Sequence, residues 1–223
     1  MNRLLLIALA PLVLVSSAFA TVTTCPTGSG TSLGNYLVPG FTCTTNLLTF
    51  SAWSYTDLNV PAANVSVVPQ VVMGDEGFQF QSAWNVNNTN GGPEAREDSL
   101  IQFTVTGPGI TNLELFFNGS ITGTGSANVT EQYCLNGTLT SCPQALGQIS
   151  VTNPPPGFSD QVFFAPVRSI SVSKDILVDT GVGPGSAMIS QVTNNFSSPE
   201  PLSFVLLGSG LLGLGLLRKR IKR

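Results

Sequence analysis

Apolar residues recur at every second position in much of this chain, and that period constrains its fold more than any other feature. Ile101, Phe103 and Val105 alternate with polar residues, and other segments do the same. A period of two places one face of a strand against a core and the other against solvent. No window within residues 21–197 sustains a helical period, and no internal repeat is visible. The sequence therefore predicts an all-β fold.

Turn residues divide the chain at intervals typical of a β-sandwich. Strands are predicted at Leu47–Tyr55, Val65–Val72, Phe78–Asn85, Leu100–Thr106, Thr111–Phe117, Ala127–Cys134, Gly147–Thr152, Gln161–Ala165, Ser169–Val178 and Ala187–Val192. Turns are predicted at Gly107–Gly109, Asn118–Gly119, Asn153–Gly157 and Gly181–Gly185. We expect one antiparallel, jelly-roll-like β-sandwich over residues 21–197.

The N-terminus has the pattern of a secretory signal peptide. Arg3 precedes the apolar stretch Leu4–Val15, and Ala18-Phe19-Ala20 supplies small residues at the positions that signal peptidase reads. Twelve apolar residues are too few to cross about 30 Å of hydrocarbon as a helix. We expect export through the Sec translocon and cleavage after Ala20, so that residues 1–20 are removed.

The C-terminus has the pattern of a short membrane anchor. Residues 201–217 are uncharged, and as a helix they would span roughly 26 Å, the short end of a membrane crossing. Residues 218–223 follow with five positive charges, which the positive-inside rule keeps in the cytoplasm. The charges are Arg218, Lys219, Arg220, Lys222 and Arg223. We expect a transmembrane helix with everything between the two signals outside the cytoplasm.

A Pro-Glu-Pro triplet lies directly before this span. Pro199, Glu200 and Pro201 make a stiff, extended segment that an enzyme binding extended backbone can reach. The triplet, the Gly- and Leu-rich span and the basic end, residues 198–223, together resemble the PEP-CTERM sorting signal of bacteria. The resemblance implies processing by a membrane-embedded exosortase near the triplet and delivery of the exported body to the cell surface or the extracellular polysaccharide. A plain C-terminal anchor is the alternative.

Charge and composition exclude several classes of function. The chain has no histidine, so chemistry that needs an imidazole is excluded. The stretch 21–198 carries 11 acidic but three basic side chains, which disfavours binding to nucleic acid. No catalytic set is recognisable, so we expect a protein that is not an enzyme.

Four cysteines lie in the part that is expected outside the cytoplasm. An even number of cysteines there predicts two disulfides, with three connectivities open. The candidates are Cys25, Cys43, Cys134 and Cys142, of which the nearest neighbours are Cys25 with Cys43 and Cys134 with Cys142. Their spacing, without histidine, is not that of a zinc site.

An acidic loop is the first candidate ligand site. The stretch Val86–Asp98 is predicted to be an unusually long connection, and it gathers Glu94, Glu97 and Asp98. Carboxylates are the ligands that Ca²⁺ prefers, but no known loop motif organises them. A solvated loop, a calcium site and a paired-carboxylate glycosidase remain open, the last because carboxyl separation cannot be read from sequence.

Two aromatic residues are the second candidate. Trp53 and Tyr55 share one parity along their strand, whereas Leu48 and Phe50 share the other. Without a bulge, that strand would present apolar bulk to both faces, and one face could contact a sugar. Core packing is the alternative. The sequence thus favours an exported, non-enzymatic surface or matrix protein, with a carbohydrate-binding or carbohydrate-hydrolysing module as the alternative.

Overall fold

The computed structural model describes residues 23–26, 31–72, 74–88, 90–153 and 157–198. The expected signal peptide and, apart from Ser198, the expected sorting signal, with Pro199, Glu200, Pro201 and the basic end, lie outside these residues. Within the described part, no helix has the length and apolar character needed to cross a membrane.

The described chain is built from strands, as the period of two predicts, with two short 3₁₀ turns at Leu33–Asn35 and Ala62–Asn64. The strands are β1 (Thr23–Thr24), β2 (Thr31–Ser32), β3 (Cys43–Thr44), β4 (Thr49–Leu58), β5 (Ser66–Val72), β6 (Asp75–Asn88), β7 (Arg96–Gly123), β8 (Ser126–Leu135), β9 (Gly147–Asn153), β10 (Ser159–Asp179) and β11 (Gly185–Ser197).

One curled sheet contains all eleven strands, and β7 and β10 run through both of its halves. The first half of β7 pairs with β4, the second half pairs with β11, and β10 follows β7 along almost its whole length. The order β1-β3-β4-β7-β11-β6-β5-β2 is extended from β7 by β10, β8 and β9. The sheet forms a half-barrel, an arrangement consistent with a β-sandwich.

The core lies between the two halves of the curled sheet. Phe50 on β4 contacts the ring of Phe78 on β6 at a centroid distance of 4.5 Å. Phe103 on β7 contacts Phe196 on β11 at 6.2 Å. Strands β4 and β6 are separated by β7 and β11 in the sheet, so the contact between Phe50 and Phe78 holds its two halves face to face.

Two predicted turns are wrong, because β7 continues through both of them. Gly107–Gly109 and Asn118–Gly119 lie inside the 28-residue strand Arg96–Gly123. A Cβ atom on Gly107 would lie 2.4 Å from Leu48 Cδ2, so glycine lets the buried Leu48 side chain pack directly on the backbone here. The register of β10 shifts near Val167, opposite this point. The glycines and the proline therefore mark a bend where β7 passes from β4 to β11, and not a reversal of the chain.

The sheet departs from the antiparallel expectation in one place: β1 pairs with β3 in parallel. Both strands are two residues long, and Cys25, directly after β1, forms a disulfide with Cys43 on β3. The second disulfide joins Cys134 and Cys142. The prediction of two disulfides is confirmed, and the structure selects the nearest-neighbour pairing. Two disulfides indicate an oxidising environment.

Candidate functional site

Trp53 and Tyr55 lie on the core side of β4 because a bulge changes the parity of the strand. Ala52 has φ 54°, and the register between β4 and β7 shifts between Ser51 and Ser54. Phe50, Trp53 and Tyr55 consequently share one face. The strand does not present apolar bulk to both sides, which was the expectation without a bulge.

Both aromatic side chains are held by core contacts. The ring of Trp53 stacks on Phe103 at 4.7 Å and contacts Tyr36 at 4.9 Å. The Tyr55 hydroxyl bonds to the Val60 carbonyl oxygen at 2.5 Å and to Ser99 Oγ at 2.9 Å. Burial raises the pKa of Tyr55 to about 12. A ligand contact at either ring remains a prediction.

A cleft of about 310 Å³ lies where the end of β4, the start of β7 and β10 meet, and we call it the acidic cleft. Three carboxylates line it, together with Thr56, Leu58 and Leu100: they are Asp57, Asp98 and Asp175. Leu58 is opposite Asp98 in the sheet, and Leu100 is opposite Asp175. The pairing of three strands therefore gathers carboxylates that are far apart in sequence.

Two of these carboxyl groups form a pair. Burial and a hydrogen bond with Asp98 raise the pKa of Asp175 to about 6, and Arg96 lowers it. Arg96 also forms an ion pair with Asp98, with an N–O distance of 3.0 Å. The proton that Asp175 holds below about pH 6 is donated to Asp98, and the carboxyl group of Asp98 still has oxygen lone pairs that can accept from a ligand hydroxyl.

The raised pKa makes a prediction about stability. The native state keeps a proton on Asp175 up to about pH 6, whereas the unfolded chain releases it near pH 4. Protonation of Asp175 therefore stabilises the folded state fully below pH 4, and this stabilisation is lost as pH rises through about 6. In Asp175→Asn the side chain does not titrate, so the variant does not lose stability from this position as pH rises. Between pH 4 and pH 7, the unfolding free energy of the variant should shift relative to the wild type by on the order of 1 kcal/mol in favour of the variant, after discounting for solvent screening.

Urea unfolding at the two pH values measures this shift. Asp98→Asn is the companion variant, because it removes the hydrogen-bond partner that helps to raise the pKa of Asp175. We expect it to reduce the pH dependence as well. Parallel pH profiles for the wild type and Asp175→Asn would contradict the pairing.

Glu94, Glu97 and Asp98 are not brought together as a ligand set. Glu97 accepts a hydrogen bond from the Asn85 backbone N–H at 2.8 Å. A hydrogen bond with Asp179 raises the pKa of Glu94, whereas Asp98 faces Asp175. In the described ranges, no group of three acidic or cysteine side chains is placed to hold a metal ion. The acidic loop is also shorter than predicted, since β6 extends to Asn88 and β7 begins at Arg96.

A second cleft, of about 560 Å³, adjoins the acidic cleft at Leu58. It is lined by carboxyl, guanidinium and amide groups with two small apolar residues: Asn59, Asn85, Val86, Asn87, Glu94, Ala95, Arg96 and Glu97. Amides donate and accept hydrogen bonds at once, so this lining suits ligands that carry many hydroxyl groups.

A polar sheet face with exposed aromatic rings is a further surface that the sequence analysis did not single out. We call it the amide face, and it consists of the outward side chains of β6, β7, β10 and β11: Gln79, Gln81, Glu114, Phe116, Gln161, Phe163, Gln191 and Asn195. Phe116 is 39% exposed and Phe163 is 68% exposed. Alternation could have indicated Glu114 and Phe116, since they lie between the buried residues Leu113, Leu115 and Phe117.

No family model matches the chain, and no curated protein matches it. Three solved structures show distant likeness. The carbohydrate-binding module TmCBM61, solved with β-1,4-galactotriose, has a TM-score of 0.32 at 10% identity, with 65% of this chain and 88% of that chain covered. The Gap123 glycosylation-associated complex from Streptococcus agalactiae has a TM-score of 0.29 at 11% identity over 65% of this chain and 26% of that chain.

The third structure is the enzymatically active domain of tailspike protein 4 from bacteriophage CBA120. Its TM-score is 0.26 at 10% identity, and the match covers 64% of this chain and 19% of that chain. At these values the likeness does not reach a shared topology. The function is therefore proposed from this chain's own residues.

Proposed function

We propose that this chain is an exported, non-enzymatic surface or matrix protein whose β-rich body is released or transferred by an exosortase. One observation carries the proposal: β11, the last strand of the described residues, pairs as far as Ser197, and the Pro-Glu-Pro triplet follows in sequence from residue 199. An enzyme that cuts at the triplet would separate the whole paired body from the apolar tail without breaking the sheet. The body would be delivered intact.

Charge and disulfides support the same route. Between residues 21 and 198 the acidic side chains outnumber the basic ones by 11 to three, so this part is repelled by anionic headgroups at a membrane surface. Both disulfides lie within it, as expected for a body that folds after crossing the membrane. The basic end, in contrast, is suited to remain on the cytoplasmic side until the tail is cut.

The C-terminal peptide tests the sorting route. The full chain is produced in a bacterial host with its exosortase and in a matched deletion strain, and the C-terminus is mapped by mass spectrometry. We expect residues 218–223 to be absent from the surface product of the first strain and retained in the second. Glu200→Ala should retain them in both strains, and Glu114→Ala, in the body, should behave as the wild type.

An identical intact tail in both strains would contradict the proposal. It would leave the chain as a protein with a permanent C-terminal anchor.

A second candidate function is binding of polysaccharide at the amide face. The observation that favours it is the combination of glutamine and asparagine side chains with exposed Phe116 and Phe163 on one side of the sheet. Amides can bond to sugar hydroxyls, and aromatic ring faces can pack against the apolar face of a sugar. Such binding would retain the released body in the extracellular polysaccharide.

A glycan array tests this function on the purified chain. We expect binding by the wild type and at least tenfold weaker binding by the double variant Phe116→Ser, Phe163→Ser, which is the loss produced by about 1.4 kcal/mol. Val182→Ser is the control, because Val182 is an apolar side chain that is even more exposed, at 91%, but lies in the turn before β11. No binding by the wild type, or equal binding by the double variant, would contradict the proposal.

A further inference from the structure

Three polar side chains lie fully buried between the two halves of the sheet. Lys174 on β10, Glu131 on β8 and Asn194 on β11 each have no exposed surface. Lys174 is the only lysine within residues 21–198. A lysine is almost never fully buried without a partner, so this position demands an explanation.

One carboxylate connects the other two groups. Lys174 and Glu131 are directly opposite in the ladder between β10 and β8, and Lys174 Nζ donates to Glu131 Oε2. Asn194 Nδ2 donates to Glu131 Oε1 at 3.2 Å and to the Glu114 carbonyl oxygen at 3.0 Å. The amine of Lys174 and the carboxamide of Asn194 thus meet at the two oxygens of Glu131, although they come from different halves of the sheet.

The side chains around the cluster are apolar. Its buried neighbours on the same face of the three strands are Val129, Val172, Ile176, Val192 and Phe196, with the partly buried Tyr133 beside Glu131 on β8. Burial lowers the pKa of Lys174 and raises the pKa of Glu131, so the surroundings favour a neutral amine beside a neutral carboxylic acid. A neutral lysine amine is a nucleophile, whereas an ammonium group is not.

The carboxamide of Asn194 is incompletely bonded as it stands. Its Oδ1 atom is buried and has no hydrogen-bond partner among the residues that the structure describes. A buried polar atom without a partner costs about 1–3 kcal/mol. An ion pair alone would account for Lys174 and Glu131, but it would not account for a third buried group that points its amide nitrogen at the same carboxylate.

We propose that Lys174 and Asn194 are joined by an intramolecular amide bond that forms after folding, with Glu131 as the group that carries the proton. Lys174 Nζ attacks Asn194 Cγ, and the C–N bond to Nδ2 breaks. Glu131, as the neutral acid, gives its proton to the departing Nδ2, which leaves as ammonia, and takes back a proton from the attacking amine. One amide replaces another, so the step needs no oxidant, reductant or cofactor.

The bond would tie β10 to β11 across the core. Lys174 lies beside Ile101 in the first half of β7, whereas Asn194 lies beside Leu115 in its second half, so the link would hold the two halves of the sheet together covalently. Such a clamp suits a body that stays outside the cell, where neither chaperones nor resynthesis protect it. The inference does not depend on the sorting route, because it concerns folded residues only.

Peptide mapping of the full chain tests the bond directly. The purified, folded chain is reduced, alkylated and digested with chymotrypsin, which cleaves after Phe164, Leu177 and Phe196. We expect segments 165–177 and 178–196 to appear as one branched species whose mass is the sum of the two peptides minus one ammonia. Fragmentation should place the branch between Lys174 and Asn194. Trypsin should also fail to cleave after Lys174.

Variants test the role of each group. Glu131→Gln keeps the size of the side chain and one acceptor oxygen but removes the proton carrier, and we expect the two segments to appear separately. Asn195→Ala, at the neighbouring outward position, is the matched control and should retain the branch. Unlinked segments from the folded wild type would overturn the proposal, whether or not the variants fold. A branch at Asn195, or a full yield of the branch in Glu131→Gln, would overturn it too.

Discussion

Phe103→Ala is expected to destabilise the protein by about 4 kcal/mol, because truncating a fully buried phenylalanine removes its burial and leaves a cavity. Phe103 is 1% exposed. Its ring lies within 6.3 Å, between centroids, of Phe50, Trp53, Phe78, Phe80 and Phe196. These partners come from β4, β6 and β11, so Phe103 is the point where both halves of the sheet meet. Backbone segments from both halves would have to move before the cavity could close.

Urea unfolding followed by tryptophan fluorescence measures this loss, since Trp53 stacks on Phe103. Phe163→Ala is the matched control. Phe163 lies on β10, which pairs with β7, and its side chain is 68% exposed. Its truncation should change the unfolding free energy by less than about 0.5 kcal/mol. Equal losses in the two variants would contradict the placement of the core.

Glu76→Ala is expected to cost about 3 kcal/mol or more, because one buried carboxylate binds a whole turn of backbone. Glu76 is 2% exposed. Its oxygens accept from the backbone N–H groups of Asn46, Leu47 and Leu48 at 2.9–3.1 Å and from the Thr45 hydroxyl. Successive N–H groups that point to one site form a cradle for an anion. Alanine would leave these donors, in the turn between β3 and β4, without their partner.

The same unfolding assay measures this effect, with Glu97→Ala as the control. Glu97 accepts a single backbone N–H, from Asn85, at an exposed position. We expect its removal to cost about 1 kcal/mol or less. Glu76→Gln should fall between the two, since its amide keeps one acceptor oxygen and places an NH₂ group among the donors. If Glu76→Ala were as stable as Glu97→Ala, the carboxylate would not be what holds the turn.

Alternation along the chain predicted the positions of the longer strands and much of the core, although β7 and β10 were each predicted as two strands. Leu113, Leu115 and Phe117 are buried, as their period of two predicts. Alternation does not show whether two neighbouring apolar segments are separate strands or one continuous strand. The glycines at 107 and 109 are compatible with either a turn or a bend, and the choice depends on the pairing of β7 with β10, which is set by residues some 60 positions away.

The placement of Trp53 and Tyr55 depended on one residue. A positive φ at Ala52 is unusual for a residue with a Cβ atom, and nothing in the sequence around it indicates a bulge. The bulge arises because Phe50 and Trp53 can both reach the core only if the parity changes between them. Packing against Phe103 and Phe78 therefore decided the backbone conformation.

The candidate sites were predicted least well because they depend on contacts between distant strands. Glu94, Glu97 and Asp98 are close in sequence, but alternation turns Glu97 and Asp98 to different sides of β7. The partners of Glu94 and Asp98, which are Asp179 and Asp175, lie on β10. Lys174 occupies a buried position between Val172 and Ile176, and that parity was visible in the sequence. The contacts that join Lys174, Glu131 and Asn194 could not be predicted from the sequence, because these residues lie on three different strands.

The state and location of the four cysteines test the central claim, export of a folded body, most directly. Cells that produce the full chain are fractionated in the presence of a thiol-alkylating reagent, without reduction, and the chain in each fraction is weighed by mass spectrometry. We predict that the chain is found outside the cytoplasm with no alkylated cysteine, because both disulfides are closed. A chain that accumulates in the cytoplasm with all four thiols alkylated would contradict the account.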